Sequence, residues 1–206
     1  MAPDAFVELL WERQMTQTAE QYDAAIEAGI TLFMRKGFSN LSIEDIVNAT
    51  GLNRYAIYSA FGTKADFLRA CIRRYCATDI ESLERLIAGS ALTPKEIARA
   101  NLYHSVEKMF ELGAGCLVCE NMKEMEKIAP ELGDYCRQYF NKKEEVLRIL
   151  FSRARDERAL PAEIDPDEAA AAFMIFKFGL SNEVKRAPDV TTLKRKIDGF
   201  LAAMFP

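Results

Sequence analysis

"SIEDIVNATGLNRYAIYSAFGTK", Ser42 to Lys64, decides how this chain folds. Ser42 with Asp45 three residues on is an S-x-x-D capping box, whose hydroxyl and carboxylate each take a backbone N–H that a helix start leaves unpaired. The spacing predicts a helix over 43–50 with Ile43, Ile46 and Val47 on one apolar face. Gly51 stands where a residue of positive φ ends that helix, and Asn53 is the N-cap of a second short one over 54–60. Projected at about 100° per residue, Leu52, Ala56, Ile57, Ala60 and Phe61 share one arc of the second helix. Arg54, Tyr55, Tyr58 and Ser59 share the opposite arc. Two short helices across a glycine turn, the second showing a cation and phenols to solvent, form the helix-turn-helix pattern. The same pattern also suits two core helices with a solvated polar face, and the flanking sequence decides between them.

The chemistry that favours DNA is direct. A helix about 10–12 Å across enters the major groove, where Arg54 reaches guanine edges or phosphate oxygens and Tyr55 and Tyr58 donate hydroxyl hydrogens to phosphate. Helix N-termini offer unpaired N–H groups to the same anions, so Ser42 and Lys64, each at a helix start, bracket the backbone. With Asn53 and Ser59 these make up the expected contact set. Thr31 to Arg74 holds seven basic residues against three acidic ones, a local +4 in a chain of net charge −4. That split is expected where one end meets phosphate and the rest does not.

Between Tyr22 and Leu68 the sequence resembles the DNA-binding domain of the TetR/AcrR-type transcriptional regulators. The resemblance is carried by "AAIEAGITLFMRKGF", "LSIEDIVNATGL", "NRYAIYSAF" and "GTKADFL", and by the ordered set Gly37-Phe38, Asp45-Ile46, Gly51, Tyr58, Phe61, Gly62, Lys64 and Leu68. It implies a homodimer that binds double-stranded operator DNA, each subunit with a three-helix head at 18–66 and a helical body at 67–206 that holds a small-molecule effector. Ser42, Arg54, Tyr55, Tyr58 and Lys64 fall where that family contacts DNA. Leu41 stands where a Thr is common, and Tyr55 where a small residue is common. The last two thirds of the chain match in layout only.

Composition agrees with an all-α protein. The chain has 206 residues, half of them apolar, and most of the 17 glycines and prolines fall between segments of helical period. Those segments are 5–14, 18–36, 43–50, 54–60, 64–87, 94–111, 117–128, 131–157, 166–186 and 190–204, with no alternating strand pattern among them. The longest apolar run, Ala169 to Phe176, stops at Lys177, far short of the roughly 18 residues a membrane span requires. Five cysteines, an odd number without framework spacing, and an N-terminus without a secretory pattern suit a reducing cytoplasm. An N-terminal extension, 1–17, carries Phe6, Leu9, Leu10 and Trp11; it is either an extra short helix packing on the body or a partner, or a leader.

In the body, "GAGCLVCENMKEM" places Cys116 and Cys119 one turn apart at a helix start, where a thiol pKa can fall. Gly-Cys-Leu here resembles a subset of the family that senses electrophiles and oxidants, although Glu120 replaces the Asn common there and opposes a thiolate. The bland reading makes both cysteines small buried fillers. His104, Phe110, Met122, Phe173 and Phe176 complete the candidate effector or redox-sensing set. No cofactor is expected, and no metal. Cys116, Cys119, His104 and Cys136 are the only candidate ligand set, and only the first two have a recognised spacing. Leu193, Ile197, Phe200, Leu201 and Met204 form a stripe expected to pair with a partner subunit, beside the small residues Ala169 to Ala172.

The expected function is a ligand-responsive transcriptional repressor released by a small-molecule or electrophile inducer. Its rivals are a Cys-x-x-Cys thiol oxidoreductase, which needs a βαβ context the sequence lacks, and a helical protein-binding adaptor. One histidine and no phosphate-cradling glycine loop leave no nucleophile–base–orienter set, so catalysis is not expected.

Overall fold

The computed structural model describes the backbone of residues 3–89 and 91–205 and the side chains of 19–89, 91–122 and 124–205. Among these residues there is no strand. The helices are α1 (Pro3–Lys36), α2 (Ile43–Thr50), α3 (Arg54–Phe61), α4 (Lys64–Gly89), α5 (Pro94–Leu112), α6 (Leu117–Ile128), α7 (Pro130–Asp156), α8 (Pro166–Glu183) and α9 (Val190–Met204). None of the described helices is long and apolar enough to cross a membrane. The chain divides into two compact units, Met1–Arg74 and Tyr75–Pro206, so α4 contributes to both.

The segments expected at 5–14 and 18–36 are one helix, α1. Met15, Thr16 and Gln17 between them include neither glycine nor proline, so nothing interrupts the backbone ladder. The side chains of Phe6, Leu9, Leu10 and Trp11 lie outside the described residues.

In the first unit, α1 and the start of α4 close over the two short helices. Phe33, Ile46, Ile57 and Phe67 are wholly buried. The Phe67 ring meets Phe61 edge-on at 4.8 Å and lies 6.0 Å from Phe33. This packing requires Gly29, because a Cβ there would lie 2.6 Å from Phe67 Cζ and 2.7 Å from Cys71 Sγ.

The second unit is built on α7, whose Leu147, Leu150, Phe151 and Ala154 are fully buried, with α6, α8 and α5 packed against it. Prolines at the first turns of α5, α7 and α8 fit because no N–H is needed there. The stripe expected to face a partner subunit is instead covered within its own chain. Leu193, Ile197 and Leu201 are wholly buried and Met204 nearly so, with α9 packed on α5. Asp198 holds that contact, accepting from Tyr103 Oη at 2.8 Å and pairing with Arg99 at 3.0 Å. A stripe read from one helix does not reveal which surface covers it. Ala169 and Ala170 are likewise buried, whereas Ala172 is exposed.

Candidate nucleic-acid interface

Local chemistry positions the head. Ser42 caps α2: its backbone N–H donates to Asp45 Oδ2 at 2.9 Å, and its Oγ accepts from the Asp45 N–H at 3.1 Å. The Ser42 hydroxyl hydrogen points to the same carboxylate at 2.8 Å. Asp45 also takes Lys36 Nζ at 2.7 Å. Lys36 first, then the Ser42 bonds, hold its carboxyl far below the usual carboxylate range. Gly51 ends the helix at φ +71°, as its position predicted. Asn53 Oδ1 accepts from the Ala56 N–H at 2.9 Å and starts α3.

On α3 the two arcs separate as expected, with one exception. Leu52 and Ile57 are buried and Ala56 and Phe61 half-buried, but Ala60 is exposed. The outward arc is open: Tyr55 is 82% exposed and Tyr58 47%, and Arg54 and Ser59 are also exposed. The Arg54 guanidinium pairs with Glu44 of α2. Both partners are more than half exposed, so solvent and salt screen the pair and it holds the guanidinium only weakly.

Lys64 has a local role that the sequence did not show. Its ammonium donates to the Phe38 carbonyl at 3.0 Å and the Leu41 carbonyl at 2.7 Å and lies 4.1 Å from the centre of the Phe38 ring. It therefore ties the start of α4 to the turn before α2. Thr63 caps α4 as Ser42 caps α2, accepting from the Asp66 N–H at 3.2 Å and donating from its own N–H to Asp66 Oδ2 at 2.9 Å. The T-x-x-D spacing is the signal by which Thr63 could have been found.

In the body, the expected sensing residues lie on α5, on α6 and its N-cap, and on α8. His104 is exposed on α5 in a groove of about 460 Å³ that Arg85 and Asn101 also line. Phe173 is wholly buried against Phe151, ring centres 5.8 Å apart. Phe176 stacks on Phe200 at 4.0 Å. Phe110 and Met122 are half-buried. Among the described residues no three His, Cys, Asp or Glu side chains are arranged to hold a metal ion.

Cys116 and Cys119 do meet. Cys116 occupies the N-cap position of α6, its N–H donating to Ser181 Oγ at 2.8 Å. The Cys119 thiol, first, then the Cys119 N–H, the Tyr75 hydroxyl and the Lys143 charge outweigh burial and lower the Cys116 thiol to about 6. Tyr75 Oη lies 3.5 Å from its sulfur. Cys119, donating to Cys116, is pushed up by that bond, by burial and by the Cys116 charge. Glu120 pairs with Lys185 at 2.5 Å, and its charge still opposes a thiolate at Cys119.

Beside the pair lies a buried polar cluster that the sequence reading missed. Asp79 accepts from Tyr139 Oη at 2.7 Å, pairs with Lys143, and faces Lys177 at 3.9 Å. Lys177 also donates to Asn101 Oδ1 at 3.0 Å. Burial raises the Asp79 carboxyl, but Lys177, Lys143 and the Tyr139 bond outweigh it and hold it far below its ordinary value. Burial first, then Lys143, lowers Lys177 to about 7. The signals were present: Lys143 interrupts the apolar row Cys136, Tyr139, Val146, Leu150, and Lys177 ends the longest apolar run. A charge at a core position needs a partner.

Residues 25–71 match the profile of "Bacterial regulatory proteins, tetR family". The chain is 23% identical over 137 residues to the HTH-type transcriptional repressor BdcR of Escherichia coli (strain K12), covering 66% of this chain and 68% of that one. It is similar to the regulatory protein TetR from Rhodobacter sphaeroides, at 25% identity and a TM-score of 0.79, over 90% of this chain and 98% of that chain. It shares its fold with a cysteine mutant of the TetR family transcriptional regulator CifR complexed with 26bp double-strand operator DNA. That match has 21% identity and a TM-score of 0.73 over 89% and 96% of the two chains. The helix-turn-helix head over residues 25–71 is thus similar to that of the tetR family of bacterial regulatory proteins, and the chain as a whole resembles its transcriptional regulators.

Proposed function

We propose that the protein is a repressor that binds a palindromic operator as a homodimer and is released by a small-molecule or electrophile inducer. The head at 18–66 reads the DNA, and the body at 67–206 senses the inducer and joins the subunits. The observation that carries this reading is the outward arc of α3: Arg54, Tyr55, Tyr58 and Ser59 all exposed on a helix capped at Asn53. An exposed Tyr55 has no packing role, whereas a phenol and a guanidinium on one face suit groove and phosphate contacts. Two such helices in a dimer sit one DNA turn apart, roughly 34–36 Å, or a multiple of it. BdcR is a repressor by name and CifR has been captured on operator DNA; both support the reading. Since the hydrophobic stripe of α9 is covered within the chain, the partner's place is the exposed face formed by Ala172, Ile175 and Gly179 of α8 with Gly199 and Ala202 of α9. No atom lies within 4 Å of where a Cβ would stand on Gly179 or Gly199, which leaves room for close helix approach.

The test is a gel shift on the DNA upstream of the protein's own gene, repeated across a salt series. Arg54→Ala should weaken binding and lower the salt slope by about 1 if the guanidinium meets phosphate. Unchanged affinity and slope would remove α3 from the interface.

A further inference from the structure

We propose that the groove between α4 and α5 is the inducer site and that its ligand is a monocarboxylate with a short apolar body. The proposal rests on the reading of the body as the inducer-responsive part, and adds the chemical class of the inducer and the residues that hold it.

The groove gathers hydrogen-bond donors without a competing anion. Ser82 and Arg85 of α4 and Asn101 and His104 of α5 supply its polar groups, and none of the residues that line it is acidic. In a chain with 31 acidic residues against 27 basic ones, a wall of that composition favours anions over cations. Arg85 is exposed, and among the described residues no carboxylate pairs with it. Its Nε donates to the Glu81 carbonyl at 3.3 Å, so Glu81, one turn back, engages it through the backbone rather than through its side chain. The terminal amino groups of the guanidinium are left for a planar acceptor of two bonds, and a carboxylate is that acceptor.

Asn101 joins the groove to the buried cluster. Its Oδ1 accepts from Lys177 Nζ at 3.0 Å. Lys177, whose side chain is 12% exposed, faces Asp79 at 3.9 Å, and Asp79 is held in turn by Lys143 and by Tyr139 Oη at 2.7 Å. An ammonium only donates, so the amide oxygen must face it and Nδ2 faces away. Among the described residues none accepts from that Nδ2. The ammonium on Oδ1 also polarises the amide, which strengthens Nδ2 as a donor. A donor fixed in this way from behind, with nothing in the chain to receive it, is built for a ligand.

The rest of the lining sets the ligand's body. Leu86 and Ala100 form an apolar wall, and the groove's volume of about 460 Å³ is that of a small-molecule site. A carboxylate taken by Arg85 and Asn101 leaves an alkyl or aryl tail against Leu86 and Ala100. Arg85 is the one guanidinium or ammonium on the lining, so it matches a single negative charge and not a dianion such as phosphate. The ligand bridges two helices. Ser82 and Arg85 stand on the body segment of α4, whose first residue, Lys64, ties the turn before α2. Drawing donors of α4 and α5 onto one carboxylate fixes the two helices against each other. That contact, absent without ligand, is what lets the ligand select one state of the body.

The experiment titrates the full-length protein with acetate, hexanoate and benzoate by calorimetry, with hexanamide as the neutral counterpart and inorganic phosphate as the dianion. Hexanoate and benzoate should bind saturably. Acetate, with no tail to bury, should bind more weakly than hexanoate. Hexanamide should bind at least about tenfold more weakly, because the hydrogen bonds to a charged acceptor are lost. Arg85→Gln should lower hexanoate affinity by at least about tenfold for the same reason. Asn101→Asp still accepts from Lys177 but loses the donor and sets a carboxylate beside the ligand's own. It should abolish hexanoate binding while the melting temperature is retained. Hexanoate should release the wild-type protein from operator DNA and should not release Arg85→Gln at the same concentration. The proposal is overturned if none of the three carboxylates binds, if hexanamide or phosphate binds as tightly as hexanoate, if Arg85→Gln leaves hexanoate affinity unchanged, or if bound hexanoate leaves operator affinity unchanged. Failure of the ligand-free protein to bind any operator would overturn the regulator reading instead, while calorimetry still decides whether the groove takes a carboxylate.

Discussion

At the scale of single residues, the deciding feature is where charge is placed relative to water. Arg54 pairs on the surface, where solvent screens it. Lys143, whose side chain is 3% exposed, pairs with an Asp79 that is also short of water. Removing one partner of such a pair leaves a buried charge uncompensated, which costs far more than losing a surface contact. The same cluster governs Cys116, and this has a measurable sign. With its pKa lowered to about 6 from an ordinary 9.0, the thiolate forms as pH rises through 6. The rate of iodoacetamide alkylation at Cys116 should therefore reach half its plateau near pH 6. Tyr75→Phe removes a hydrogen bond to the thiolate and should move that midpoint upward, with Cys119→Ser moving it as well. A wild-type profile that stays flat until pH 8 would show that Cys116 is an ordinary thiol.

At the scale of elements, helix ends do most of the positioning, and two glycines show how differently the same residue type can act. Gly51 ends α2 at φ +71° with no atom within 4 Å of a would-be Cβ. Gly51→Ala should therefore cost only backbone strain, about 1–2 kcal/mol. Gly115 precedes the N-cap of α6, and a Cβ there would meet the Glu120 carboxylate, Ser181 Oγ at 2.6 Å and the Ser181 carbonyl at 2.8 Å. Gly115→Ala must displace α6 from α8, so its loss of thermal stability should exceed that of Gly51→Ala. Equal melting temperatures would mean that the α6–α8 junction yields freely. The ends were also the most legible elements in the sequence. The Ser42–Asp45 box, Asn53 and Gly51 act through groups within four residues of one another, so spacing alone identifies them. Lys64 was not legible as a tether, because its acceptors lie 23 and 26 residues away.

At the scale of the whole molecule, the question is which apolar surface is covered by the chain itself. The α9 stripe is covered by α5, whereas Ile175 on α8 is 71% exposed. Large apolar side chains left open on a face of small residues mark association surfaces. Ile175→Glu should therefore convert a dimer to a monomer in analytical ultracentrifugation and weaken operator binding, because both half-sites can no longer be held together. A wild-type protein already monomeric, or a variant that stays dimeric, would exclude this face.

The amino-acid sequence by itself determined α2 to α9, the caps of α2 and α3 and the polar arc of α3, because each depends on periodicity or on groups a few residues apart along one backbone. Tertiary structure alone decided that the α9 stripe is internal, that Lys64 ties a turn, and that Asp79, Lys143, Lys177 and Cys116 share one electrostatic environment. Those facts join residues from α4, α6, α7 and α8, and the distance between groups far apart in the chain is set only when their helices pack.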